Sequence, residues 1–283
     1  MTDGATVSGY PAPGARRSRL ARGFAWSLLA GAIVLHDGAI VRTQNRGFLT
    51  GQNIAPVFEG WQKNADGTIL MWYGYFNRNF EETIDVPIGP DNQFEPGPDQ
   101  GQPTHFLPRR QRFVFKTTLP PDWPKERRLV WSMTTHGKTD KAAGWLQPEW
   151  EVDDGVIQMN MGPGGAPPDD PPNNWPTIAI NPETAAVALG DAVKLTARAS
   201  DDGIPKPRRS RGNEAPKGVT IRWIEYRGPG QVTFSAPTAT GVYGTPTEST
   251  TTARFSAPGT YVLRAIASDG LLESPRSATV TVK

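Results

Sequence analysis

The stretch of residues 252–270, TARFSAPGTYVLRAIASDG, constrains the fold of this chain more than any other part of the sequence. Two runs of alternating apolar and polar residues flank Pro258-Gly259, and alternation at a period of two indicates β-strands with one buried face. Pro258 fixes one backbone angle and Gly259 frees another, which favours a tight reversal. The pattern predicts a corner of a β-sandwich whose two runs form a hairpin. The predicted core face of the second run holds Tyr261, Leu263, Ala265 and Ala267.

Several ordered motifs extend this pattern over about residues 176–283. They are Ser200-Asp201-Asp202-Gly203, the segment GPGQVTF at 228–234, the run SAPGTYVLRAIASDG, and a closing strand-like run at 278–282. Together they resemble the PKD family of immunoglobulin-like extracellular modules, and the resemblance implies a β-sandwich for residues 177–283. It implies little about function, because members of that family serve as spacers, adhesins and accessory modules on unrelated enzymes. A basic, Pro-containing insertion at 206–217 departs from the family pattern.

The composition limits the class of protein. At 283 residues the chain is long enough for two domains. Its 30 Gly and 28 Pro, roughly a fifth of all residues, predict many turns, as in an all-β fold. The chain has no cysteine, which excludes disulfides, thiolate metal sites and lipid attachment at a cysteine. A net charge of +2 gives no indication of a nucleic-acid or membrane-surface partner.

The amino-terminal end has the layout of a signal peptide. Four arginines between positions 16 and 22 precede an apolar run at 23–35. This run is short for a membrane span, which needs about 20 residues. We therefore predict that residues 1–41 are a signal peptide or targeting region, and that the protein is secreted, periplasmic or at the cell surface. The alternatives are a buried helix or an uncleaved segment, and only such an uncleaved segment would contact the membrane.

Residues 42–161 predict a second β-sandwich, and they resemble no named family. Asp66-Gly67 lies between the first two predicted strands, which is a hairpin signal. The Pro/Gly-rich residues 162–176 predict a semi-rigid linker between the two sandwiches. The seven strands predicted here are 57–61, 68–77, 83–88, 112–119, 129–135, 144–152 and 156–159.

The predicted strand at 70–76 has apolar side chains on both faces, whereas an antiparallel strand normally has one polar face. One interpretation buries both faces beneath the long connection 89–110, which carries Phe94, His105 and Phe106. The other interpretations are an exposed platform for a ligand and a domain interface. The candidate ligand-binding residues are Tyr73, Tyr75 and Phe106.

The acidic loops of the carboxy-terminal half provide the one candidate metal site. Asp201, Asp202 and Asp269, with Glu273 nearby, come from loops that can meet at one end of a sandwich. Calcium is possible there because it takes six to eight oxygen ligands, while capping of turns by the aspartates is the alternative. No other cofactor is expected.

The sequence contains no recognisable catalytic motif, so we predict a non-catalytic protein. His105 has no acid or histidine at helical ligand spacing, His136 and Asp140 lie in a predicted polar hairpin tip rather than a helix, and no Gly-x-Ser-x-Gly motif is present. We expect a secreted or envelope-associated binding, adhesion or structural protein with a protein or glycan partner at the cell envelope. The alternative is an extracellular hydrolase or carbohydrate-binding accessory protein with its site in the amino-terminal domain.

Overall fold

The computed structural model describes residues 48–161, 171–207 and 216–283, and these belong to one compact unit. Strands dominate them, so the protein is all-β as predicted. The predicted signal peptide at 1–41, residues 162–170 of the predicted linker and most of the basic insertion lie outside the described residues.

The amino-terminal half is a sandwich of two three-stranded antiparallel sheets, with strand orders β1-β2-β6 and β4-β7-β8. The short strands β3 and β5 pair beside them. Its strands are β1 (Ile54–Lys63), β2 (Ile69–Asn77), β3 (Ile84–Asp85), β4 (Asn92–Glu95), β5 (His105–Phe106), β6 (Arg109–Leu119), β7 (Leu129–Thr135) and β8 (Lys138–Gly144).

The core of this sandwich is aromatic. Tyr73 and Phe115 from one sheet meet Phe94 and Trp131 from the other, with ring centroids 5.0–6.2 Å apart. Trp131 is fully buried, and its indole N–H donates to Asn92 Oδ1 at 2.9 Å. This core is held by large flat side chains and contains no disulfide.

Two of the predicted strands are wrong. Residues 144–152 contain the end of β8 and a 3-10 helix (Pro148–Trp150), because Pro148 at its start cannot donate to a sheet. Residues 156–159 lie in the helix α1 (Asp154–Met161). The Asp153 carboxylate accepts from the Val156 N–H at 2.8 Å, and this cap favours a helix over a strand.

The carboxy-terminal half is a sandwich of a five-stranded sheet, β10-β17-β16-β12-β14, and a four-stranded sheet, β13-β15-β11-β9. Strands β10 and β17 pair in parallel, and the other pairs are antiparallel. The strands are β9 (Thr177–Asn181), β10 (Thr184–Val187), β11 (Ala192–Ser200), β12 (Lys217–Arg227), β13 (Val232–Phe234), β14 (Thr238–Val242), β15 (Thr247–Phe255), β16 (Gly259–Ser268) and β17 (Glu273–Val282).

Two side chains mark this sandwich as immunoglobulin-like. Trp223 of β12 is 2% exposed at the centre of the core, and its indole N–H donates to Ser249 Oγ at 2.9 Å. The Tyr261 hydroxyl, near the start of β16, donates back to the Ala257 carbonyl at 2.8 Å. A core tryptophan and a tyrosine whose hydroxyl bonds back to the corner before its strand are features of immunoglobulin-like domains.

The corner at residues 256–259 is confirmed, but the predicted hairpin is wrong. Strand β15 pairs with β11 and β13, whereas β16 pairs with β12 and β17, so the chain crosses from one sheet to the other. Phe255 and Tyr261 then face each other across the core at 4.7 Å between ring centroids. Strands that face across a core have the same alternation as strands that pair edge to edge.

The two sandwiches contact each other directly. Ile157 of α1, Trp72 of β2 and Leu272 form a small buried cluster between them. Around it, the Arg227 guanidinium donates to both Asp99 oxygens at 2.7 and 3.0 Å, and Arg264 donates to the Val114 carbonyl at 2.9 Å. This contact region is called the junction below.

Candidate binding groove and acid–histidine cluster

The three aromatic residues predicted to bind a ligand lie in the core. Tyr73 and Phe106 are fully buried and Tyr75 is 3% exposed. The Tyr73 hydroxyl donates to the Leu129 carbonyl at 2.7 Å, and the Tyr75 hydroxyl accepts from the Leu107 N–H at 2.9 Å. Burial raises the pKa of both phenols. Rings held this way reach no ligand unless the core opens.

On the opposite face of β2, Trp72 is covered by residues from both halves of the chain. Trp72 is 6% exposed and stacks on Trp175 with an interplanar angle of 4° and 6.0 Å between centroids. The Lys116 ammonium lies 4.8 Å from the centre of the Trp72 ring. The two apolar faces of this strand therefore have two different covers, which are the second sheet and the junction.

The three aspartates predicted as calcium ligands cap turns. Asp202 accepts from the Ile204 and Asn174 backbone N–H groups at 2.9 and 3.1 Å. Asp269 accepts from Leu271 and Leu272 N–H groups at 2.6 and 2.7 Å. Asp201 accepts from the Gly203 N–H, and its other oxygen is buried without a hydrogen-bond partner among the described residues. Calcium binding by these aspartates stays a prediction.

A groove of about 700 Å³ lies on the amino-terminal sandwich, beyond the residues that the sequence singled out. Three half-buried tryptophans, Trp61, Trp123 and Trp145, line it. Lys125, Glu126 and Arg128 from the connection between β6 and β7 lie along the same groove, as do Lys63 and Glu151. A volume of this size is within the range of small-molecule sites, and aromatic side chains are common in them.

Local hydrogen bonds and cation–π contacts hold the tryptophans of this groove. The Trp61 indole N–H donates to the Gln147 carbonyl at 2.8 Å, and the Trp123 indole N–H donates to the Arg127 carbonyl at 3.2 Å. The Arg127 and Arg128 guanidinium groups lie 4.5 and 4.8 Å from the ring centres of Trp123 and Trp145. Such contacts hold flat rings in place at a wet surface.

The sequence did not reveal this groove because its tryptophans come from three separate segments. Trp61 lies near the end of β1, Trp123 in the connection after β6, and Trp145 just after β8. The Leu146 N–H donates to the Lys125 carbonyl at 3.2 Å, which holds two of these segments together. The abundance of tryptophan, nine in the chain, was the one available signal.

A second arrangement lies at the junction and joins both sandwiches. Asp85 of β3 and His105 of β5 are directly opposite each other in register, with Oδ1 and Nδ1 2.6 Å apart. Glu225 of β12 places Oε2 3.8 Å from the same Nδ1. Within the described residues, this is the group of three acidic or histidine side chains whose ligand atoms all lie within 4.8 Å of one another.

Burial dominates the electrostatics of Glu225. Its side chain is 3% exposed, and desolvation raises its pKa to about 7, against the opposing effect of His105. Oε2 accepts from the Val232 N–H at 3.0 Å, whereas Oε1 is buried with no hydrogen-bond partner among the described residues. Local spacing in the sequence could not reveal the cluster, because Glu225 is 120 positions from His105.

No protein-family model and no curated protein matches this sequence. Solved structures with some likeness include the periplasmic chaperone SfaE, at 10% identity over 38% of this chain and 57% of that chain, with a TM-score of 0.27. Domains 4 and 5 of the S-layer protein SbsC match at 14% identity over 55% and 65%, with a TM-score of 0.24. The D0-D1 domains of intimin match at 13% identity over 80% and 97%, with a TM-score of 0.24.

The match spans less than two thirds of the SfaE chain and of the SbsC chain. TM-scores this low carry no argument about function, so the assignment of the fold rests on the strands and side chains described above. In the parts of the chain that the structure describes, no helix has the length and apolar character needed to cross a membrane.

Proposed function

We propose that this protein is a non-catalytic binding protein, secreted or held at the cell envelope, whose amino-terminal sandwich binds a saccharide chain. The observation that carries the proposal is the groove of about 700 Å³ with Trp61, Trp123 and Trp145 along it. Sugar rings present flat faces of C–H groups, and the indole ring offers a matching flat apolar face. Charged side chains at the edges of the groove supply hydrogen bonds for the hydroxyl groups.

The carboxy-terminal sandwich acts as a spacer or adhesion module in this proposal. Its immunoglobulin-like side-chain pattern and the motifs at 200–203, 228–234 and 256–270 support a place in the PKD family. The signal-like layout of the amino-terminal residues supports export.

Affinity electrophoresis of the full chain tests the saccharide proposal. The gels contain one of three soluble polymers: a neutral hexose polymer, an N-acetylhexosamine polymer or a uronate polymer. We expect retardation by at least one of them, and the Trp145→Ala variant should bind it at least about tenfold more weakly, as for other central aromatic contacts. Phe80→Ala is the matched control, because Phe80 is 47% exposed and carries the Arg109 guanidinium on its ring outside the groove.

Free migration of the wild-type chain in all three gels would contradict the proposal, as would equal retardation of the Trp145→Ala variant. Release of reducing ends from the bound polymer separates the proposal from the alternative of a hydrolase. The proposal predicts no release above the rate without protein. Release that disappears in Trp145→Ala would support the hydrolase instead.

A further inference from the structure

We propose that Asp85, His105 and Glu225 bind one divalent transition-metal ion, with Zn²⁺ as the best fit, and that this ion connects the two sandwiches. The site is separate from the saccharide groove and is made by both halves of the chain. Asp85 and His105 belong to the paired strands β3 and β5, and Glu225 belongs to β12.

The set of donor atoms is one that zinc accepts. It consists of one imidazole nitrogen and two carboxylate oxygens, with bond lengths to zinc of about 2.0–2.2 Å. Softer ions that need thiolates do not fit, and Mg²⁺ prefers oxygen ligands in an octahedron. The mixture of nitrogen and oxygen atoms therefore favours Zn²⁺ and similar ions.

The two donor-atom distances that involve His105 are close to those of a zinc site, and all three lie within 4.8 Å. Two ligands at about 2.1 Å in a tetrahedron lie about 3.4 Å apart. The His105 Nδ1 atom is 2.6 Å from Asp85 Oδ1 and 3.8 Å from Glu225 Oε2. An ion on the Nδ1 lone pair would move the first pair apart and the second pair together, with neither distance changing by more than about 1 Å.

Glu225 provides an independent reason for a cation. Its carboxylate is 3% exposed, and Oε1 has no hydrogen-bond partner among the described residues. A buried carboxylate with an unpartnered oxygen is costly unless positive charge compensates it. A divalent ion supplies more of that charge than the single imidazole ring does.

Access to this place is open on one side. Asp85 is 43% exposed while His105 is 14% exposed, so an ion can enter along the Asp85 side chain. Three protein ligands leave one tetrahedral position, which a water molecule can fill on that side. The register of β3 and β5 orients both ligands before an ion arrives.

Isothermal titration of the metal-free full chain with ZnCl₂, and separately with MgCl₂, tests the site. We expect one Zn²⁺ per chain and binding of Mg²⁺ that is at least about tenfold weaker. His105→Ala and Asp85→Asn should each weaken Zn²⁺ binding at least about tenfold. The exposed position of Asp85 makes Asp85→Asn suitable as the second variant if His105→Ala does not fold.

His136→Ala is the matched control, because His136 Nε2 lies 3.4 Å from Glu82 Oε1 and belongs to no group of three ligands among the described residues. It should bind Zn²⁺ as the wild type does. The proposal is overturned if Asp85→Asn binds Zn²⁺ as tightly as the wild type, if His136→Ala loses the binding instead, or if the wild type binds Mg²⁺ as well as Zn²⁺.

Discussion

Buried aromatic rings carry the amino-terminal core at the residue scale. Phe106 is fully buried and packs against Tyr75 at 5.0 Å and Trp131 at 6.3 Å between ring centroids. Phe80 is the same residue type, but it is 47% exposed and contacts the Arg109 guanidinium. Because the residue type is the same, a comparison of the two phenylalanines isolates the effect of burial on stability.

Phe106→Ala should lower the free energy of unfolding by about 3–5 kcal/mol, because it removes a buried ring and leaves a cavity. Phe80→Ala should change it by less than about 0.5 kcal/mol. Urea unfolding of the full chain, followed by tryptophan fluorescence, measures both. A Phe106→Ala protein of wild-type stability that has lost ligand binding would restore the interpretation of an exposed platform.

The pH dependence of stability should reflect Asp201. Burial, and then the charge of Asp269, raise the pKa of this carboxyl to about 6, above the ordinary value of 3.8. Between these two pH values the folded chain holds a proton that the unfolded chain has released. The contribution of Asp201 to stability is therefore fully present below about pH 4 and is lost as the pH rises through about 6.

Asp201→Asn removes this contribution. Between pH 4 and pH 7 the stability of the wild type should fall by about 1 kcal/mol relative to the variant, as measured by urea unfolding at a series of pH values, because solvent screens the charge of this partly exposed carboxyl. The exposed Asp191→Asn serves as the control. Parallel curves for wild type and Asp201→Asn would show that the carboxyl has an ordinary pKa.

The bulge in strand β6, opposite Gly74 of β2, shows how tightly the elements pack. The register between β2 and β6 shifts between Tyr73 and Tyr75, and Gly74 lies in that irregular region. A Cβ atom there would overlap Glu59 Oε1 and the Gln111 carbonyl. Both carboxylate oxygens of Glu59 accept from Nη2 of Arg110, at 2.7 and 2.8 Å.

Gly74→Ala should therefore cost about 1–3 kcal/mol of stability, because the crowded atoms must move. The Glu59–Arg110 pair should loosen at the same time. Thermal unfolding gives the first quantity, and a crystal structure of the variant gives the second. An unchanged melting temperature would mean that the bulge has room for the extra methyl group.

Periodicity in the sequence predicted most strands but not their partners. The alternation in β15 and β16 predicted the correct buried faces. It could not distinguish a hairpin from a corner, because both give the same alternation. The Tyr261–Ala257 hydrogen bond forms at this corner in the folded chain, so the alternation could not predict it. Helix α1 was missed because four apolar residues within Asp154–Met161 suggested a strand, although Asp153 three positions before Val156 was a usable cap signal. Helix and strand are hard to separate in runs this short.

The groove and the acid–histidine cluster could not be predicted from periodicity in the sequence, because each combines segments far apart in the chain. Trp61, Trp123 and Trp145 meet through loops, and Glu225 meets Asp85 and His105 through the junction. The spacing of residues along one strand carries no information about such meetings.

At the scale of the whole molecule, the junction joins the two sandwiches through specific contacts. Tyr226 of β12 is 3% exposed and donates its hydroxyl to the Gly101 carbonyl, while the Arg264 guanidinium lies 3.2 Å from its ring centre. The Thr104 N–H donates to the Tyr226 carbonyl at 3.0 Å. Each sandwich also has its own core. The prediction that residues 177–283 are a separate domain, which unfolds cooperatively by itself, can therefore be tested.

The central claim is that the two sandwiches stabilise each other through the junction. Urea unfolding of residues 171–283 alone, compared with the full chain, tests it most directly. We expect the fragment to unfold cooperatively, because its core of two sheets is complete, but at a lower urea midpoint than in the full chain, because Tyr226, Arg264 and Leu272 lose their partners. The same midpoint in the fragment and in the full chain would contradict the claim.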